Sequence, residues 1–252
     1  MLIFDTHAHY ESEQFEEDRD ELLKILPQNN VSYVINQGTD IATSKKSIEL
    51  AEQYDYFFAA VGIHPEEVKK QEAVSEIEKL ASHPKVVAIG EIGLDYYWDV
   101  STKELQMDYF KKQLDLANQL HLPVVIHDRD AHKDVLDTLK STTMNSSGVV
   151  HCFSGSVEMA KEILKKDFYL GFDGPITFKN ARVALEVLEY TPLDRILIET
   201  DAPYLTPEPF RGKRNNSMYL TYVINKIAEI KKVSPEEIAE ITFQNAKTLF
   251  GI

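Results

Sequence analysis

The sequence predicts an α/β fold, a single-domain (β/α)8 barrel of the TIM type over residues 1–252, with additional helices at its C-terminal end. Eight short runs rich in β-branched and apolar residues alternate with longer segments of helical period, the pattern of repeated βα units around a parallel sheet. The length of 252 residues is close to the roughly 250 typical of that barrel. No low-complexity linker, like-charge block or internal repeat marks a domain boundary.

The strand-like runs lie near residues 2–7, 31–37, 57–62, 86–91, 123–127, 148–152, 168–172 and 195–200. Helical segments fall between them: residues 102–121 carry Leu105, Tyr109, Leu116 and Leu120 at helical spacing, and 179–190 is a second example. Eight strands with seven intervening helices suggest a closed ring, after which the chain continues through a helical stretch from Asn216 to Lys231. A last helix is opened by Ser234-Pro235-Glu236-Glu237, with serine as N-cap and proline at the first helical position.

Apolar residues make up 43% of the chain and charged residues 27%, enough apolar surface for a sizeable core and too much for a disordered chain. Met1-Leu2-Ile3-Phe4-Asp5 contains no basic stretch leading into an apolar run, and no apolar segment reaches the ~18 residues that cross a bilayer, so neither secretion nor membrane insertion is expected. The single cysteine, Cys152, forms no internal disulfide and suits a reducing cytoplasm. No obligate protein partner is evident. Lys+Arg 27 against Asp+Glu 41 gives a net charge of −14, which argues against non-specific coating of duplex DNA. Bound cations and a local basic patch reverse the sign where a phosphate sits. Short single strands or frayed ends are then the nucleic acid this charge allows.

Asp5-Thr6-His7-Ala8-His9 closes the first strand, and strand alternation places Asp5, His7 and His9 on one face, the barrel interior. The alternative is two hydrogen-bonded core imidazoles. Position favours the functional reading, because ligand-type side chains recur where other strands end: His64, Glu91, His127, His151 and Asp201. In a (β/α)8 barrel those ends converge on one rim, so residues distant in sequence meet around one cavity. Four or five imidazoles and two carboxylates exceed what one tetrahedral ion uses and suit two divalent ions sharing a carboxylate. Glu91 is the natural bridge, with His7, His9 and Asp201 completing one position and His127 and His151 the other. The mixed nitrogen and oxygen set suits Zn2+, Mn2+ or Fe2+, with Mg2+ less expected by ligand type. His83, His121 and His132 lie on helical segments or loops and read as surface residues.

The motifs as a set resemble the TatD family of metal-dependent deoxyribonucleases, within the wider amidohydrolase barrel superfamily. The resemblance covers essentially the whole chain. It is carried by Asp5–His9, Gly62-Ile63-His64-Pro65, Gly90–Tyr96, Pro123–His127, His151-Cys152-Phe153-Ser154-Gly155, Glu199–Leu205 and Arg211-Gly212-Lys213-Arg214-Asn215. It implies His7, His9, Glu91, His127, His151 and Asp201 as metal ligands, with Glu91 standing where phosphotriesterase-like relatives carry a carboxylated lysine. It further implies 3′-to-5′ exonuclease action on DNA.

The expected reaction is phosphodiester hydrolysis by metal-activated water. Asp201 is the expected general base, beside the bridging Glu91, while His64 contacts phosphate or protonates the leaving group unless it is only structural. Arg211, Lys213 and Arg214 form a basic loop after the last strand and are candidate phosphate contacts, as is Arg129, two residues past His127. Tyr96, Tyr97 and Trp98 either stack on a splayed base or cover the barrel mouth. Cys152 is expected on the face opposite His151, as packing. Two other readings stand beside this one: an amidohydrolase acting on a small amide, ester or lactone, and a metal-loaded barrel that binds without turnover.

Overall fold

A computed structural model describes all residues from Met1 to Ile252. Eight parallel strands follow one another around the sheet: Ile3–Ala8 (β1), Val31–Gln37 (β2), Phe57–Val61 (β3), Val86–Asp95 (β4), Val124–Arg129 (β5), Gly148–Val150 (β6), Tyr169–Phe172 (β7) and Ile196–Ile198 (β8). The connections carry Arg19–Ile25 (α1), Ile41–Gln53 (α2), Val74–Ala81 (α3), Lys103–Leu120 (α4), His132–Ser141 (α5), Val157–Leu164 (α6) and Arg182–Tyr190 (α7). Leu220–Lys231 (α8) and Pro235–Phe250 (α9) follow the last strand.

The barrel is closed between β8 and β1 by loop residues rather than by a ladder. His9 donates from its backbone to Ala202 O at 2.7 Å, and Asp201 N–H reaches His7 O at 2.9 Å. That closure brings Asp201, far along the chain, against His7 and His9. Inside the ring, Phe4, Ile35, Val125, Val149 and Leu197 pack with Phe243, Leu249 and Phe250 of α9, which plugs the end opposite the strand C-termini. Outside it, the other strand faces bury Ile3, Val34, Phe57, Ile89 and Ile126 against helix residues such as Phe110 and Leu114. At roughly 25 cal/mol per Å2 of apolar surface, these two layers supply the main drive to fold.

Local chemistry sets the helix starts. Asp40 caps α2 by accepting from Thr43 N at 2.7 Å, and Thr43 Oγ1 accepts from Asp40 N in return. The expected cap of α9 is present, Ser234 Oγ accepting from Glu237 N at 3.2 Å.

Three expectations are corrected. The 86–91 run continues to Asp95, because Gly93 lets β4 lie tight against β5: a Cβ there would fall 2.0 Å from His127 O, and its φ of 145° suits glycine. The 148–152 run stops at Val150, since Cys152 takes φ 42° and leaves the extended region. Alternation therefore does not place Cys152 opposite His151. It lines a cavity at the rim instead. Asp5 also leaves the face shared by His7 and His9, because the β1 register shifts between Asp5 and Ala8. Its Oδ2 accepts from Thr200 Oγ1 at 2.7 Å and Ser217 Oγ at 2.6 Å, tying the strand to the segment before α8.

Candidate metal centre

Glu91 occupies the middle of the rim, 3% exposed, and its two oxygens face different partners. Oε2 lies 3.3 Å from His7 Nε2 and 3.5 Å from His9 Nε2. Oε1 lies 2.7 Å from His151 Nε2, 2.8 Å from His127 Nδ1 and 3.5 Å from His64 Nε2. Asp201 Oδ1 adds a second carboxylate at 3.5 Å from His7 Nε2 and 3.4 Å from His9 Nε2. The six side chains named as ligands thus meet in one place, with His64 beside them. Three compact groups of ligand atoms result: His7, His9 and Asp201; His7, Glu91 and His151; His64, Glu91 and His127.

The donor set fits metal ions. His7 Nε2 faces His9 Nε2 at 3.1 Å, and His127 Nδ1 faces His151 Nε2 at 3.2 Å. Two unprotonated ring nitrogens repel at that range, so protons or cations must lie among them. Imidazoles mixed with carboxylates suit Zn2+, Mn2+ or Fe2+.

Electrostatics follow from the crowding. Burial raises the Glu91 pKa, but His151, His7 and His64 overcome it and hold the carboxyl well below its ordinary range. Asp201 is likewise lowered against burial, by His9 and His7. Burial opposes protonation of His9, His127 and His151, yet their carboxylate neighbours raise all three. His7 is the exception, lowered by burial and by the ring of His151 stacked on it at 4.0 Å.

Three acidic residues to which sequence pattern assigned no role stand behind the histidines. Asp95 Oδ2 lies 2.9 Å from His127 Nε2, Glu11 Oε1 3.6 Å from His9 Nδ1 and Glu199 Oε1 3.6 Å from His151 Nδ1. Glu199 is fully buried, and a Cβ on Gly171 would fall 2.6 Å from its carboxylate oxygens, so glycine there leaves room for the acid. The available signal was spacing: Glu11 and Glu199 stand two residues from a ligand, and Asp95 four residues from Glu91.

The rim residues separate into free and engaged cations. Arg129 lies at the end of β5, its guanidinium 3.9 Å from the Tyr97 ring and 5.3 Å from the Trp98 ring, both exposed. Arg211 is exposed over Phe178, and Lys213 is exposed beside it. Arg214 is engaged: it donates to Asp18 at 2.8 and 2.5 Å and to Gln14 O at 2.7 Å, over the Phe15 ring. Tyr96 is tied down through its hydroxyl to Asp134 at 2.9 Å. His83 and His132 pair with Glu52 and Asp128, and His121 caps the end of α4.

A family model described as TatD related DNase matches residues 4–251. A metal-dependent hydrolase of Bacillus subtilis (strain 168), YabD, is 47% identical with all of both chains covered. The 3′-5′ ssDNA/RNA exonuclease TatD of Salmonella typhimurium is 34% identical, with 99% of each chain covered. The crystal structure of YjjV, a TatD homologue from Escherichia coli K12, superposes with a TM-score of 0.94 at 32% identity, covering 99% of this chain and 98% of that one. An organophosphorus hydrolase from Deinococcus radiodurans shares the barrel alone, at a TM-score of 0.68 and 14% identity. On a match from near the first residue to near the last, and on near-half identity to a whole relative, this chain belongs to the TatD-related DNase family of metal-dependent hydrolases.

Proposed function

We propose that this hydrolase cleaves phosphodiester bonds at the 3′ end of single-stranded DNA or RNA, using two divalent ions held by His7, His9, Glu91, His127, His151 and Asp201. The observation that supports it is the division of Glu91, whose Oε2 faces His7 and His9 while Oε1 faces His127 and His151. When bound, the two cations lower the pKa of water toward ~7 and offset negative charge at the reacting phosphate.

The chain's own groups do the rest. Asp201 turns Oδ1 to His7 and His9, leaving Oδ2 to take the proton of the attacking water. His64 is a different kind of histidine: its Nδ1 accepts from Glu66 N at 3.2 Å, so the neutral ring carries its proton on Nε2, toward Glu91. It therefore donates to a phosphate oxygen or to the departing oxygen and is not needed as a ligand. Arg129, Arg211 and Lys213 meet backbone phosphates, and the exposed Tyr97 and Trp98 rings offer a stacking face. The Salmonella relative's name includes both ssDNA and RNA, which supports a strand substrate over long duplex.

Small amides, esters or lactones remain the competing substrates, since metal-activated water attacks any of them. The free cations and exposed aromatics favour the strand. No helix is long and apolar enough to cross a membrane, and with a lone cysteine we place the protein in the cytoplasm. Elemental analysis of the purified protein, run beside digestion of end-labelled single- and double-stranded oligonucleotides and a small amide and ester panel, tests this. Two equivalents of metal and nucleotide release from the 3′ end are expected; turnover of the panel without oligonucleotide cleavage would refute the nuclease assignment.

A further inference from the structure

A cavity of about 230 Å3 opens beside the metal centre, between the turn after β6 and the loop leading into α7. Cys152, next to His151, and Asp173, next after β7, form its polar side, while Phe153, Pro175, Ile176 and Val183 supply apolar walls. Asp173 is only 2% exposed, and its Oδ2 has no hydrogen-bond partner. A buried carboxyl oxygen left unpaired costs stability unless something else uses it. Burial and the nearby Glu199 also push the Asp173 pKa well up.

The opposite wall is the start of α7. Ala181, its N-cap, makes no side-chain cap, and the first-turn amides of Arg182, Val183 and Ala184 find no acceptor within the protein. The cavity thus offers a carboxyl on one side, backbone N–H donors on another and hydrocarbon between. Its volume is below the roughly 300–1,000 Å3 of pockets that take whole small molecules, so it suits one part of a larger ligand. An anion would meet the α7 amides and the rim Arg182, itself paired with Glu186, but also the buried Asp173, with Glu199 and Asp201 close by. A flat heterocycle with N–H and carbonyl groups on its edge meets every wall.

We propose that this cavity receives the nucleobase of the nucleotide next to the scissile phosphate, with Asp173 bonding its N–H edge, α7 amides its carbonyls and Phe153, Ile176 and Val183 its ring. The proposal rests on the phosphodiesterase reading above. It makes the enzyme dependent on a base at the terminal nucleotide and favours bases that carry a carbonyl beside an N–H.

The test separates cavity from reaction by measuring binding without turnover. Calorimetry on the metal-loaded protein compares thymidine monophosphate, whose base carries an N–H between two carbonyls, with deoxyribose 5-phosphate, which lacks the base. The nucleotide is expected to bind on the order of tenfold more tightly, the scale of one stacked base. Asn180→Trp, at an exposed loop position on the cavity mouth, fills the space and brings that ratio close to one. Asp173→Asn, isosteric and able to donate, shifts the relative affinities of the four nucleotides. Equal affinity of the wild type for the two ligands, or a ratio that persists in Asn180→Trp, would overturn the proposal. A preserved ratio in the wild type without oligonucleotide cleavage would instead refute the nuclease reading and leave the base pocket standing.

Discussion

The Nε2 of His127 lies 2.9 Å from Oδ2 of Asp95, an acid 1% exposed that also accepts from the backbone of Tyr97 and Trp98. This contact fixes the proton of His127 on Nε2 and turns the Nδ1 lone pair toward Glu91. Asp95→Asn presents an amide that can donate to Nε2 and so favours the wrong tautomer. Metal affinity is expected to fall about 10–100-fold, measured by chelator competition. An unchanged affinity would show that Asp95 does not orient the ring.

Glu91 and Asp201 separate into different phenotypes. Glu91→Ala removes the carboxylate that faces both sets of histidines, so metal content and activity are expected to fall together. Asp201→Asn keeps the fold and is expected to lower kcat by about 10²–10⁴-fold, the usual share of a general base. Full metal stoichiometry and wild-type turnover in Glu91→Ala would remove it as the bridge.

Among the rim cations, Arg214 is expected to differ from its neighbours. Neutralising Arg129, Arg211 and Lys213 together should raise KM for oligonucleotides and flatten its salt dependence by roughly 0.7 in logarithmic slope for each phosphate no longer neutralised. Arg214→Ala should leave that slope alone and cost at most about 1 kcal/mol of stability, because its donors are spent on Asp18 and Gln14 in a half-exposed pair. The reverse pattern would mean that Asp18 yields Arg214 to substrate.

The metal-free protein should be most stable in mildly acidic solution. His9, His127 and His151 are raised above 6.5, so their contribution is complete below that pH and is lost as pH rises through their folded values. Asp5, which burial raises from 3.8 to about 7, has the same sign, with its contribution complete below 3.8 and lost as pH rises to about 7. Glu91 and Asp201, held below 4.5 and 3.8, contribute above those values and lose it as pH falls further; His7, lowered, opposes its neighbours. The thermal midpoint of metal-free protein is expected to peak near pH 4.5, fall gently as Asp5 ionises, and fall faster above about pH 6.5. Added metal reverses the trend, because it binds the unprotonated ligands and stabilises more as pH rises. A metal-free midpoint that climbs steadily above pH ~7 would contradict these assignments.

Much of the barrel was legible because its signals are local. β-branched runs and helical periods placed all eight strands to within a few residues, and Ser234-Pro235 marked the start of α9. The errors came where a neighbour overrode the local rule. Gly93 extended β4 by adapting to His127 O, Cys152 ended β6 by its left-handed backbone, and a register shift in β1 turned Asp5 away from His7. Asp95 and Glu199 were missed as supports because a carboxylate near a ligand becomes informative only when its distance to a particular ring nitrogen is known.

From the sequence alone came the eight-stranded barrel and the set of side chains that meet at its rim, since strand ends carry their residues to one face wherever a barrel closes. Tertiary structure alone decided which oxygen of Glu91 faces which histidine, that His64 points an N–H inward, that Arg214 belongs to Asp18, and that a cavity adjoins His151. Each of those depends on atoms brought together from up to 196 positions apart. Their separation is set by ring closure and side-chain packing, which no local pattern of residues encodes.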